Sequence, residues 1–309
     1  MITLDNDKLV VRFPKVFEQA RLEISFIRTL RIPDDGNDHP LPAGLDDFPI
    51  RHIDDFGDRV PESWRKRGGV MIPMYRSEAM WIHFKSDQPR RRDVAYPFAV
   101  KVGAGKINAV SGLPWQNGLN PKPQDYVVVP DQPWLDGFNV SKDVIRQFVA
   151  TPLGSGESVK EQLIGMAENG GIQLSACPMR YDEFNERWPE GPEIFYQMDC
   201  APFAKMSEKY MDMGLGAGGR IHQEIYKDHY GIDAWQQSAL SRCFVHLCDA
   251  ATWKHVTGEE PPTDPITAKQ YKKQGIPWFE HYNEELGAAG GSEQLQSVKP
   301  VKAVTCPRV

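Results

Sequence analysis

The chain has 309 residues, of which 40% are hydrophobic and 25% charged, with a net charge of −6. This is the composition of a folded protein able to bury a sizeable core, and it excludes disordered and fibrous classes. The acidic balance excludes a general phosphate-binding surface, since nucleic-acid affinity rests on clustered Lys and Arg, and the runs Arg65-Lys66-Arg67 and Arg90-Arg91-Arg92 read as solvated loop charge.

The first residues, MITLDNDKLVVRF, place acids where a secretory signal needs basic residues, so a soluble, cytoplasmic protein is expected. Apolar stretches such as Tyr126 to Val129 fall far short of the roughly twenty residues a bilayer span requires, so no membrane partner is expected. Cysteines at 177, 200, 243, 248 and 306 are odd in number and scattered, which predicts a reducing compartment and no disulfide framework.

In chain order, Leu22, Ile24, Phe26, Leu30 and Ile32 against Glu23, Ser25, Thr29 and Arg31 give the period of two that places alternate side chains on opposite faces of a strand. Residues 31 to 63, rich in Asp, Pro and Gly, read as one long loop. Met80, Ile82 and Phe84 against Trp81, His83 and Lys85 predict a second half-buried strand. A strand over Tyr96 to Val102 leads into Gly103-Ala-Gly105-Lys106. That motif lacks the third Gly of a dinucleotide fingerprint and the Ser or Thr of a phosphate loop, so it reads as a hairpin turn.

Tyr126 to Val129 and Ile145 to Val149 predict buried strands ended by Pro130 and Pro152. Ser158-Val-Lys-Glu161 is a capping box, opening a helix over about 159–169 that Gly170-Gly171 closes. Ile172, Leu174 and Ala176 against Gln173 and Ser175 predict a half-buried strand. Phe203 to Met213 reads as a helix stopped by the run Gly214 to Gly219, and Thr267-Ala-Lys-Gln270 opens a short helix closed by Gly275 and Pro277. The class that results is α+β: mainly antiparallel β-sandwich(es) with a few short helices. Residues 1–286 form a single β-rich unit, compatible with two packed halves meeting near residue 155. Residues 287–309 form an extension that docks on the core or on a neighbouring subunit.

Several groups could carry chemistry. With period two, Arg220, His222, Glu224 and Tyr226 share one strand face, where Glu224 could orient His222 and Arg220 bind an anion. The competing reading is an ordinary solvent-facing strand. Cys243-Phe-Val-His246-Leu-Cys248 offers soft metal ligands, with His246 and Cys248 on one face. No second pair completes a tetrahedral set, so buried structural cysteines are expected, with no metal and no cofactor. The Asp34 to Asp38 stretch misplaces the carboxylates of a calcium loop. Trp115, Trp134, Trp278 and Tyr282 sit beside Pro or in loop-like segments, where they either form an interaction surface or cap the ends of a sandwich.

The strings RTLRIPDDG with PLPAGL, PQDYVVVPDQPWLDGF, RQFVATPLGSG with SVKEQL, RIHQEIY with YGIDAW, and GIPWFEHYN make most of residues 28 to 283 resemble a family of uncharacterised proteins found in bacteria and some fungi. The resemblance implies one intact unit and brings no activity, cofactor or catalytic residue. The expected function is that of a non-catalytic protein that self-assembles or binds a protein partner. The alternative is an enzyme or binding protein for a small anionic molecule, using Arg220, His222 and Glu224.

Overall fold

The structure, a computed structural model, describes residues 2–168, 170–191, 212–262, 265, 268–276, 278–279 and 286–301. Alternation of apolar and polar side chains produces the two strands Arg21–Thr29 and Ala79–Ser86, which pair antiparallel with Ile24 opposite Phe84 and Phe26 opposite Ile82. These four side chains are buried, and the strand pair forms one wall of the core. Leu9, Val11 and Ile24 face Leu174 and Ala176 across a narrow apolar gap, so the sheet folds back on itself around a shared interior.

Among the described residues, seventeen strands join edge to edge in one network, and Leu41–Pro42 pairs with Trp278–Phe279 as a separate piece. The ladders are antiparallel except where Asp38–His39 lies beside Arg220–Ile221 and Val70–Pro73 beside Val245–Cys248. Among the described residues six short α-helices decorate this sheet: α1 (Glu62–Arg67), α2 (Val159–Ile164), α3 (Tyr181–Arg187), α4 (Ala250–Thr257), α5 (Ala268–Lys273) and α6 (Glu293–Gln296). The fold is therefore α+β and mainly antiparallel. No helix among the described residues is long and apolar enough to cross a membrane. Under α1 and α4 a smaller cluster of Trp64, Trp253, Ile53, Met71 and Cys248 forms a satellite core.

Local signals read from the sequence are matched at several points. Gly105 and Lys106, with φ of 58° and 68°, make the tight turn that joins Phe98–Ala104 to Ile107–Asn108. Ser158 caps α2 as expected, accepting from the backbone N–H of Glu161 while the Glu161 carboxylate accepts from that of Ser158. Replacing Ser158 with Ala is expected to lower stability by about 1 kcal/mol in urea denaturation, because one helix N–H loses its acceptor. An unchanged midpoint would show that Glu161 alone secures this end.

Other expectations are corrected. Helix α2 stops at Gly165, whose left-handed φ of 68° ends it well before Gly170. Strand Ile172–Pro178 is buried at every position, set between Phe98–Ala104 and Ser241–Cys248, so Gln173 and Ser175 are enclosed as well. The long loop over 31 to 63 contains four short strands, Asp38–His39, Leu41–Pro42, Gly44–Asp47 and Arg51–His52, each recruited by a distant partner. The helix expected over 203–213 lies mostly outside the described residues, but Met213 and the glycines after it belong to strand Asp212–His222.

Those glycines answer to close approach. A Cβ on Gly216 would lie 2.6 Å from a Val301 methyl, one on Gly218 2.6 Å from Val149, and one on Gly219 2.6 Å from the Pro33 carbonyl. The described part of the C-terminal extension, 287–301, runs along its own chain's core. Ala289 N–H donates to the Ile225 carbonyl at 2.6 Å and Ser292 N–H to that of Asn139 at 3.0 Å. Leu295, Val298 and Val301 are buried.

Candidate functional site

Strand Asp212–His222 pairs with Val144–Pro152, placing Arg220 opposite Arg146 and His222 opposite Val144. The ladder ends at His222, and with it the period of two. Gln223 N–H donates to the Asp143 carbonyl at 3.1 Å, and its amide exchanges two hydrogen bonds with Asp136, at 2.9 and 3.1 Å. These bonds turn the chain inward. His222 stays exposed while Glu224 and Tyr226 are buried, so the four expected residues do not share one face.

Arg220 forks onto the Asp38 carboxylate, which neutralises its charge. Burial, followed by a hydrogen bond from Asp143 and that residue's charge, raises the Glu224 carboxyl above its usual range, with Lys142 and His222 pulling the other way. His222 and Glu224 are thus electrostatic neighbours, and the third member of their group is Asp143.

A denser polar seam joins residues 124–136 to 223–235. Gln124 donates to the carbonyls of Tyr126 and Tyr226, both at 2.9 Å, and accepts from Asp228 N–H at 2.8 Å. The Asp228 carboxylate accepts from the Tyr126 hydroxyl at 2.6 Å, the Trp235 indole at 2.8 Å, and two backbone N–H groups. Such a saturated carboxylate fixes a loop. Asp136, wholly enclosed, is pushed up to about 8 by burial, against the stabilising pull of Gln223.

At the surface end of the seam His229 Nδ1 stands 3.6 Å from Asp131, with its ring 4.0 Å from that of Tyr230. Burial raises the Asp131 carboxyl, His229 lowers it, and Asp228 adds to the rise. This carboxylate–imidazole couple lies a hundred residues apart in the chain, and no local motif announces it.

The seam continues into an aromatic face. Tyr181, Phe184 and Trp188 recur at helical spacing along α3 and its cap, so they share one side. Phe17 stacks on Tyr181 at 5.0 Å, Phe184 meets Tyr96 at 4.5 Å, and Trp188 meets Tyr230 at 5.9 Å. Tyr181 is 38% exposed, which leaves its ring open at the surface. Arg187 lies 5.3 Å above Tyr230 and pairs with Glu183 one turn back.

The remaining candidates lie elsewhere in the fold. His246 is buried between Trp64 and Phe244, with ring centroids at 4.6 and 4.5 Å, and its Nε2 meets the Gly68 carbonyl. Burial pulls it down to about 4, so it is neutral at ordinary pH. Cys177 and Cys243 are pushed up to about 12 by burial, and Cys248 is enclosed near the Ile72 carbonyl. Among the described residues no three His, Cys, Asp or Glu side chains are grouped to hold a metal ion.

Trp115 is half-buried over Gly103 and beneath Lys101, and Trp134 packs edge-on against Trp81. Trp278, at 37% exposure, sits beside Tyr271, and Tyr282 lies outside the described residues. The gap lined by Ile2, Leu9, Val11, Ile24, Leu174, Ala176, Ser241 and Cys243 has a volume of about 10 Å³, too small for a ligand.

An α+β protein with a mainly antiparallel sheet, a saturated polar seam and a ring-bearing helix is the class these features define. No family model, curated protein or solved structure matches the chain.

Proposed function

We propose that the chain is a non-catalytic protein that binds a protein partner, and that the partner is a second copy of itself joined through the aromatic face of α3. The observation that carries this reading is the run of rings from Phe17 through Tyr181 and Trp188 to Tyr230, open to solvent at Tyr181. Tyr, Trp and Arg are the residues that dominate interface energetics. Charge supports self-pairing. Helix α3 has Asp182 and Glu183 in its first turn and Arg187 in its last, so two copies packed antiparallel set acid beside base twice. The present pairs, Asp182 with Arg180 and the half-buried Glu183 with Arg187, lie at the surface and exchange partners at little cost.

The alternative anion-binding face has less support, since Arg220 is already neutralised by Asp38 and Glu224 is turned onto Asp143. Light scattering on a concentration series is expected to give a dimer that dissociates on dilution. Tyr181→Asp is expected to be monomeric throughout, with unchanged circular dichroism. A wild-type monomer at every concentration would remove the reading.

A further inference from the structure

A second surface lies at the end of α2. There Gly165 turns the chain left-handed and leaves Ile164 and Met166 at 47% and 45% exposure, the two most exposed large apolar side chains among the described residues. Cations lie on the elements that flank this end of the helix. The Gly105-Lys106 turn is moored beside the segment that follows α2, because Gly105 N–H donates to the Gly171 carbonyl at 2.9 Å and Lys106 N–H to the Gln173 side chain. Lys106 itself is exposed.

A Cβ on Gly171 would lie 3.1 Å from the Phe244 ring, and Arg67 sits 5.6 Å over that ring's centre. On another side Lys299 exchanges two backbone hydrogen bonds with the Gln162 amide, at 2.7 and 2.9 Å. Lys160, one turn before Ile164, folds its ammonium onto the Glu168 carbonyl. Burial, then the like charges of Lys106 and Arg67, hold that ammonium below its usual value, with Glu168 opposing. Against the carboxylates Glu161 and Glu168 of this segment stand Lys106, Arg67, Lys160 and Lys299, an excess of cations beside an aliphatic tip in a chain of net charge −6.

We infer that this end of the molecule docks on an anionic lipid surface, with Ile164 and Met166 entering the headgroup boundary and Lys106, Arg67 and Lys299 facing the acidic headgroups. Lysine is depleted at protein interfaces, and their anchors are mainly aromatic. Lysines around aliphatic tips suit a lipid interface, where long stems lie along apolar surface and the charge stays in water. The attachment is peripheral, reversible and weakened by salt. It is independent of the α3 face, and either can fail alone.

The test is co-sedimentation of the full chain with vesicles of phosphatidylcholine, alone or mixed with phosphatidylserine. Binding is expected only to the mixed vesicles and to decline as salt is added. Lys106→Glu is expected to weaken it on the order of fivefold or more, since each cation near such a surface contributes a factor of about that size. The pair Ile164→Ser and Met166→Ser is expected to weaken it at least as much, while Lys85→Glu, on strand Ala79–Ser86, leaves it unchanged. No sedimentation with mixed vesicles overturns the inference. So does binding that survives the Ile164 and Met166 substitutions, or retention by soluble polyglutamate without vesicle binding, which assigns the patch to an acidic protein instead. All the altered residues are exposed, and circular dichroism checks that each variant folds.

Discussion

Replacing Lys101 with Met is expected to destabilise the fold by about 3–5 kcal/mol, the cost of stripping one partner from a buried ion pair. Lys101 is 1% exposed in strand Phe98–Ala104, yet its ammonium is fully satisfied. Its three N–H groups reach the Gln116 carbonyl at 2.9 Å, the Gly118 carbonyl at 2.8 Å and the Asp125 carboxylate, and the charge lies 5.2 Å from the centre of the Trp115 ring. One cation thus pins a loop spanning residues 115 to 125 onto the sheet. Met retains the stem volume, so the substitution removes charge and hydrogen bonds while keeping most of the packing. Asp125 is left buried, its carboxyl raised by burial with Lys101 no longer pulling it down. Adding Asp125→Asn to the Lys101→Met variant is expected to recover part of the loss, since no uncompensated charge remains. Urea midpoints for the four proteins of this cycle give the coupling directly. A loss below about 1 kcal/mol for the single variant would show that the loop is held by other contacts.

Asp136→Asn is expected to gain stability over wild type as pH rises, by on the order of 5 kcal/mol at pH 8, since each tenfold difference in proton affinity between the folded and unfolded chain is worth about 1.4 kcal/mol. The sign follows from where the proton sits. Asp136 ionises at its ordinary 3.8 when the chain is unfolded but only at about 8 when folded. Between those values the folded state holds a proton that the unfolded state has released, so wild-type stability drains away through that window. An amide holds no such proton and still accepts from Gln223. The two proteins are expected to differ little at pH 4 and to diverge steadily to about pH 8. Parallel curves would show that the Asp136 carboxyl is ionised in the folded protein. His246, lowered to about 4 from 6.5, acts in the opposite direction, losing stability as pH falls through that interval. With Asp136 removed, this acid-side decline is still opposed by Asp249, whose carboxyl burial pushes up to about 7.

Features governed by neighbours in sequence were the legible ones. Ile24 and Phe26 alternate because strand geometry forces them to, Ser158 and Glu161 cap because three residues separate them, and Gly105-Lys106 turns because its backbone demands it. Ser175, by contrast, is polar and buried because ladders flank its strand on both sides, a fact set by residues 101 and 242. The candidate group at 220–226 was half legible. Arg220 and His222 project outward as the period requires, but Gln223 is captured by Asp136, some ninety residues away, and the pattern breaks there. The pairing of Asp131 with His229 and of Phe17 with Tyr181 had no local signature, because each is made by the closing of the sheet.

The glycine-bearing strand Asp212–His222 buries Met213, Leu215, Ala217 and Ile221 in the core, and between them its glycines leave room for other segments. What fills the space over Gly216 is Val301, and over Gly219 it is the backbone at Ile32 and Pro33, segments drawn from opposite ends of the sequence. Contacts over such separations carry a loop-closure cost that must be met before burial rewards them. Val301 covers Gly216 and packs with Ala79 and Val149, so residues near 300 complete a small apolar cluster beside the main core.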